Sequence, residues 1–321
     1  MNNNIREKVS VIIPTRSEDI EVIKKAISSI KWADEILIAD SSKTVNGRNV
    51  VKKLAITNGT KYIFREYRYS ASFKNWAIPQ AKCNWILLLD SDEIVTKKLK
   101  NTLQLLLANQ QKLNKYDGFG IARKHFFFGK FLRWGGRYPL YNVRFFRKTC
   151  HYEDRDVHAH ILIGKDRLKN INPKDGDILH YSDRNYEQFF ERFNRYSDYQ
   201  AHYIKKVKER RQNINWKEFF TNFIYFKAVV KDIWFFIPGH SILRFLWMYI
   251  VNFGFLDGTA GFKIALLYAF QDYVSKTKYY LLIEERVFLR RGIQNVVIFI
   301  VALLFGKKEI INNYKECLTL I

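Results

Sequence analysis

Toward the N-terminus, short continuous apolar runs alternate with stretches of helical spacing. Val9 to Pro14 (VSVIIP) is β-branched and ended by proline, which predicts a buried strand. From Ser17 to Ile30 apolar residues recur at helical spacing, with Ser17 in position to cap. Glu35 to Asp40 (EILIAD) predicts a second buried strand that ends in an acid. Asn49 to Asn58 reads as a helix closed by Gly59, and Lys61 to Phe64 as a third strand. Phe73 to Ala81 reads as helical despite Pro79. Trp85 to Asp90 (WILLLD) predicts a fourth buried strand, again ending in acids. Such strands alternating with helices predict a parallel sheet covered on both faces. Ligands of such sheets bind at the carboxyl ends of the strands, where Asp40 and Asp90-Ser91-Asp92 fall.

Beyond this region Lys97 to Asn109 reads as a helix, and residues 118 to 147 as mixed sheet and loop. The character changes near residue 183. Aromatic and basic residues then recur at helical spacing from Tyr186 to Lys208, and further helices are expected at 216–236, 240–255 and 259–283. The division expected is residues 1–182 as a catalytic α/β domain and 183–321 as a basic, aromatic helical region.

Composition narrows the function. The chain has 321 residues, 48% apolar and 16% aromatic, with only 5 Pro, so it can bury a substantial core. Cys83, Cys150 and Cys317 are far apart and unpaired in sequence, which argues against a disulfide framework or a thiolate zinc site and fits a reducing compartment. The balance of 54 basic to 31 acidic residues gives +23, which predicts an anionic partner. Met1 to Lys8 carry no apolar signal region. Two apolar runs could be taken for membrane spans. Ile233 to Leu256 is broken by Pro238, Gly239, His240 and Arg244, and Ile293 to Phe305 falls short of the roughly 20 residues a spanning helix needs. Both read as buried or interfacial helices. The basic residues flanking the second suit an anionic lipid surface and, equally, the solvated ends of a core helix.

Asp90-Ser91-Asp92 is the sharpest chemical feature. Two carboxylates one residue apart, on the turn after a buried strand, make a hard oxygen site suited to Mg²⁺ or Mn²⁺ held with a diphosphate. The competing reading is a cap for the next element, with Glu93 in its first turn.

The ordered set VSVIIPTRSED, EILIADSSKT and FKNWAIPQAKCNWILLLDSDE resembles the inverting glycosyltransferase family 2, of GT-A fold. The likeness is closer to its bacterial lipopolysaccharide and exopolysaccharide branch. It extends through Lys74-Asn75, Glu93, Gly136 to Arg147, Tyr152 to Arg155, His180, Asn194 to Ser197 and Arg244 to Phe262. The resemblance implies a GT-A-type, Rossmann-like, mostly parallel sheet with helices on both faces, followed by a helical, membrane-associating region. It implies that Pro14, Thr15 and Arg16 line a nucleotide pocket, that Asp40 bonds the base or ribose with Ser41 and Ser42 beside it, and that Lys74 approaches the diphosphate. Asp90 and Asp92, with Ser91 between them, would bind ribose and metal. Asp92 would be the direct ligand, completed by His180. Glu153-Asp154 resembles the motif that supplies the general base. Relatives commonly read V-H-E-H just beyond, where this chain has Val157-His158-Ala159-His160. Asp154 is therefore the expected base, with Glu153 or Asp156 as stand-ins. Leu140 stands where relatives often have an acid, which bears on the acceptor rather than the donor.

The expected cofactors are Mn²⁺ or Mg²⁺ and a nucleotide-sugar donor, UDP in preference to GDP. The expected acceptor is lipid-linked or a lipopolysaccharide or exopolysaccharide chain. The dense basic run Lys205, Lys206, Lys208, Arg210 and Arg211, with Trp234, Phe235, Phe236, Trp247 and Tyr249, suits an anionic membrane surface, and implies a cytoplasmic protein peripheral on the inner face of the plasma membrane. A nucleic-acid binder is disfavoured because no helix-turn-helix, zinc, RNP or KH signature occurs. A nucleotidyltransferase would need a Gly-rich loop where Pro14-Thr15-Arg16-Ser17 stands. A non-catalytic or weakly active scaffold is the alternative that Ala159 leaves open.

Overall fold

Both faces of strand β1 (Val9–Thr15) are apolar, and that places it inside the sheet. Val9, Val11 and Ile13 face one cluster with Ile23, Ile27 and Leu103. Ile12 faces the other with Leu37, Ile86 and Leu88. In this computed structural model, which describes residues 6–17, 20–154, 159–183, 186–210 and 216–304, β1 pairs in parallel with β2 (Glu35–Asp40) and β4 (Trp85–Leu88). Strand β3 (Lys61–Phe64) extends this parallel half beyond β2.

The other half is mixed. The sheet order is β3-β2-β1-β4-β8-β6-β10-β5, with β5 at Glu93–Val95, β6 at Gly118–Phe127, β8 at Leu140–Arg147 and β10 at Ile178–Asp183. Strands β7 (Lys130–Phe131) and β9 (Leu168–Asn170) pair with β6. β8 runs antiparallel to both β4 and β6, whereas β10 and β9 pair with β6 in parallel, so the parallel half passes directly into a mixed half. This is the α/β, GT-A-type arrangement expected, with the acidic turn where β4 ends beside β8. Trp85 of β4 stacks on Phe145 of β8 at 4.7 Å between ring centroids, a contact that joins the halves.

Helices α1 (Ile20–Ser29), α2 (Val45–Thr57), α3 (Ser70–Ala77), α4 (Lys97–Ala108) and α5 (Gln110–Leu113) cover the sheet. Helix α2 starts four residues before the sequence suggests. Thr44 caps it, accepting from the Gly47 N–H at 3.1 Å. Pro79 falls in a short 3₁₀ turn (Ile78–Gln80) after α3, where its missing N–H breaks no helical bond.

The chain divides into two compact units, Met1–Tyr186 with Met248–Ile264, and Glu187–Trp247 with Ala265–Ile321. The return of Met248–Ile264 to the first unit was no part of the expected division at residue 182. The second unit holds α6 (Tyr186–Arg210, from Glu187 on), α7 (Trp216–Thr221), α8 (Phe223–Ile233), α9 (His240–Leu246) and most of α10 (Thr259–Leu304). Ala201, Ile204, Phe235 and Tyr279 form its buried cluster. Lys278 ties α10 to α6 through Asp198 (2.5 Å) and the Asn194 amide oxygen (2.6 Å). Among the described residues no single helix is long and apolar enough to cross a membrane. Val229–Phe236 and His240–Val251, bent by 118°, meet those measures only as a pair.

Ile12 is fully buried at the sheet centre, whereas Leu105 is 72% exposed. Ile12→Ala is expected to lower unfolding stability by about 3–4 kcal/mol, and Leu105→Ala by less than about 0.5 kcal/mol, read from urea midpoints. Equal shifts would contradict this assignment of the core.

Candidate active site

The loops after β1 and β2 are stitched together. Ser41 donates through its N–H (3.0 Å) and its hydroxyl (3.1 Å) to the Thr15 carbonyl. The Ser17 N–H donates to the Ser42 hydroxyl at 2.9 Å. Asp40 anchors this seam. One carboxylate oxygen accepts from the Ser42 N–H (2.8 Å) and hydroxyl (2.6 Å), the other from the Tyr62 hydroxyl (2.8 Å). The resemblance gave Asp40 a bond to the base or ribose. Here the residue is fully buried, and both oxygens are bonded by protein groups that brace the loop. Thr15 and Ser41 are likewise buried, and Pro14 and Arg16 half-buried. The Arg16 guanidinium lies over the Tyr67 ring at 4.6 Å.

The acidic turn is held from below by a buried carboxylate. Glu93 is fully buried and accepts from the Asp90 N–H at 2.9 Å, while its own N–H donates to the Asp90 carbonyl at 2.9 Å. Its other oxygen accepts from Arg144 of β8 at 2.6 Å and Arg123 of β6 at 3.2 Å. Arg144 also bonds the Asp90 carboxylate. Partial burial pushes the Asp90 carboxyl up, but the Arg144 guanidinium and the Lys74 ammonium outweigh it and hold it well below the usual carboxylate range. Burial opposes the charge of Arg144, yet Asp90 and Glu93 more than restore it. Lys74 of α3 reaches the same cluster with its ammonium 5.1 Å from the centre of the Tyr152 ring, and burial lowers its pKa despite Asp90. Burial also pushes the Tyr152 phenol up to about 12, against the pull of Arg144.

Asp92 has different company. Its carboxylate lies 3.4 Å from His180 Nε2, and its carbonyl accepts from the Tyr181 N–H at 3.1 Å. Desolvation raises the Asp92 carboxyl, and the His180 bond and charge bring it below its ordinary value. His180 pairs in register with His125 of β6, and their Nδ1 atoms are 2.9 Å apart. Ser91 sits half-buried between the two aspartates.

Asn75, next to Lys74, fixes the backbone of Tyr152. Its amide donates to the Tyr152 carbonyl at 2.9 Å and accepts from the Tyr152 N–H at 2.8 Å. Asp154 follows, exposed, with the Tyr69 hydroxyl bonded to its carboxylate. Glu153 turns away to accept from the His160 N–H at 3.0 Å. Ala159 packs half-buried against the cluster that contains Tyr152 and Phe146. Asp156 and His158 lie outside the described residues.

Asp90, Glu93 and Lys74 therefore gather in one cluster, and Asp92 and His180 in a second beside it, while Glu153 faces its own loop. Arg123, Arg144, His125 and Tyr69 were not singled out from the sequence. Arg144 opens the R-x-F-R stretch and Glu93 closes D-x-D-E, so that pair carried a signal, whereas strand pairing alone reveals His125.

Residues 10–164 match the family model described as glycosyl transferase family 2. An uncharacterized glycosyltransferase of Rickettsia conorii is 25% identical over 294 residues, covering 87% of this chain and 92% of that one. A lipopolysaccharide core biosynthesis glycosyltransferase of Rhizobium meliloti is 26% identical over 205 residues, 63% of this chain and 73% of that one. Among solved structures, residues 1–349 of S. aureus TarS with UDP-GlcNAc align over 84% of this chain and 91% of that chain, at 11% identity and TM-score 0.42. The match of residues 10–164 to the family 2 model, together with relatives named as glycosyltransferases that align along most of the chain, supports a transferase.

Proposed function

We propose that the chain is a metal-dependent, inverting glycosyltransferase. It moves a sugar from a nucleotide-sugar donor, UDP in preference to GDP, to a lipid-linked or cell-surface polysaccharide acceptor at the inner face of the plasma membrane. The observation that carries the donor side is the contrast between the two aspartates: Arg144 neutralises Asp90, whereas Asp92 faces His180. A carboxylate oxygen and an imidazole nitrogen 3.4 Å apart are donors that fit Mn²⁺ or Mg²⁺. Asp92 and His180 would hold the ion, which when bound supplies charge neutralisation to the leaving diphosphate. In the tautomer that donates from Nδ1 to His125, His180 would keep its Nε2 lone pair for an ion beside Asp92. Lys74 adds a cation on the diphosphate side, and Pro14, Thr15, Arg16, Ser41 and Ser91 bound the nucleotide.

Inversion requires a base on the face opposite the leaving group. Asp154 is the carboxylate in that motif left exposed, and the Tyr69 hydroxyl orients it to take the acceptor hydroxyl proton as the oxygen attacks the anomeric carbon. Glu153 is committed to its loop.

Asp92→Ala is expected to weaken Mn²⁺-dependent UDP binding by about 10–100-fold in calorimetry. Unchanged affinity would remove the metal assignment. Asp154→Asn is expected to lower kcat by roughly 10²–10⁴-fold with UDP affinity unchanged. Activity within threefold or so of the unvaried chain would move the base to another acid.

A further inference from the structure

Met248–Ile264 belongs to the same unit as the sheet, and its buried residues bolt it there. Asp257 is buried, and its carboxylate accepts from the N–H groups of Arg133 (3.3 Å) and Trp134 (2.8 Å). Its carbonyl accepts from Lys130 Nζ at 2.7 Å, and the Asn252 carbonyl accepts from the Gly135 N–H at 2.8 Å. The segment folds tightly on itself. A Cβ on Gly261 would lie 1.9 Å from the Gly254 carbonyl oxygen, and one on Gly254 would lie 2.6 Å from that of Met248.

This anchored frame presents Ile250, Val251, Phe253, Phe255, Leu256 and Phe262 to solvent, each between 44% and 55% exposed. Single exposed apolar residues are ordinary, but six in one short segment mark an interaction surface. Phe253 also has a φ of 56°, a left-handed conformation that bulky side chains rarely adopt. Its exposure is built into the backbone rather than left by a loose loop.

The surrounding charge selects the partner. The segment's only acid is the buried Asp257, and its Lys263 is exposed. The stretch it is bolted to, residues 128–141, carries Lys130, Arg133 and Arg137 and no acid. Exposed apolar side chains in a segment whose one acid is buried, with the exposed Arg133 and Lys263 in the two stretches, match the headgroup–acyl boundary of an anionic bilayer.

We infer that Met248–Ile264 seats the catalytic unit on an anionic lipid bilayer, its exposed Ile, Val, Leu and Phe side chains entering the interface and Arg133 and Lys263 meeting lipid phosphates. This rests on the proposed membrane-borne acceptor and deepens it. The seat lies on the unit that does the chemistry, and is distinct from the basic run of α6.

The test is sedimentation of the full chain with mixed phosphatidylcholine–phosphatidylglycerol vesicles and with pure phosphatidylcholine vesicles. Mn²⁺-dependent UDP binding serves as the check on folding. The double variant Phe253→Ser, Leu256→Ser is expected to lower partitioning onto the mixed vesicles at least about tenfold and to keep UDP binding. Should it fail to fold, the charge variant Arg133→Glu, Lys263→Glu is expected to abolish the preference for mixed over pure vesicles, and a retained preference would overturn the inference. Undiminished binding by the folded apolar variant would also overturn it, leaving the membrane reading standing with its contact elsewhere. Absence of vesicle binding by the unvaried chain would sink both the seat and the membrane reading, while the donor chemistry stood. A concentration-dependent dimer that the apolar variant loses, without vesicle binding, would make the surface a protein interface instead.

Discussion

Glu93 carries a charge into the floor of the D-x-D turn, where an unpaired carboxylate would cost several kcal/mol. Arg144 and Arg123 answer it from two different strands, and the Asp90 N–H adds a third bond. Removing one partner of such a buried pair costs about 3–5 kcal/mol, because the other charge is then stranded. The cluster therefore locks the end of β4 to β8 and β6, the seam between the parallel half of the sheet and the mixed half. It also separates the two aspartates: Asp90 pairs with Arg144, whereas Asp92 faces His180. Three cations, Arg123, Arg144 and Lys74, stand against the carboxylates of Asp90 and Glu93. The floor of the site thus favours an anionic ligand such as a diphosphate.

Much of this was legible in the order of residues, and the parts that were not share a cause. The buried strands were readable because both of their faces are apolar, as Ile12 and Ile13 illustrate in opposite clusters. The start of α2 was not, because Gly47 reads as a breaker. Here it permits close approach, since a Cβ would lie 2.4 Å from Ser17 Oγ. The Lys74-Asn75 pair was legible as a motif, but its physics was hidden. Asn75 is a clamp on the Tyr152 backbone, far away in sequence. His125 was invisible for a similar reason, as only the register of β6 against β10 brings it to His180. For Asp40 the strand-end position pointed to a ligand, but not to Ser42 and Tyr62, which bond its two oxygens from neighbouring elements.

The proposed donor and acceptor sides differ in make-up. The proposed donor side is polar, paired and braced by strands. On the proposed acceptor side stand Asp154, exposed after the clamped Tyr152, and the apolar segment Met248–Ile264 that Lys130 and the backbone of Arg133–Gly135 hold. Ala159 packs against the cluster around Tyr152, and Asp154 is the exposed carboxylate of the Glu153-Asp154 pair.

The division of labour between Asp90 and Asp92 is the centre of this account. It is tested most directly by anomalous diffraction from crystals grown with Mn²⁺ and UDP. The account predicts a manganese peak bonded to Asp92 and His180, with Asp90 still paired to Arg144. A peak bonded to Asp90, with Arg144 displaced from it, would contradict it.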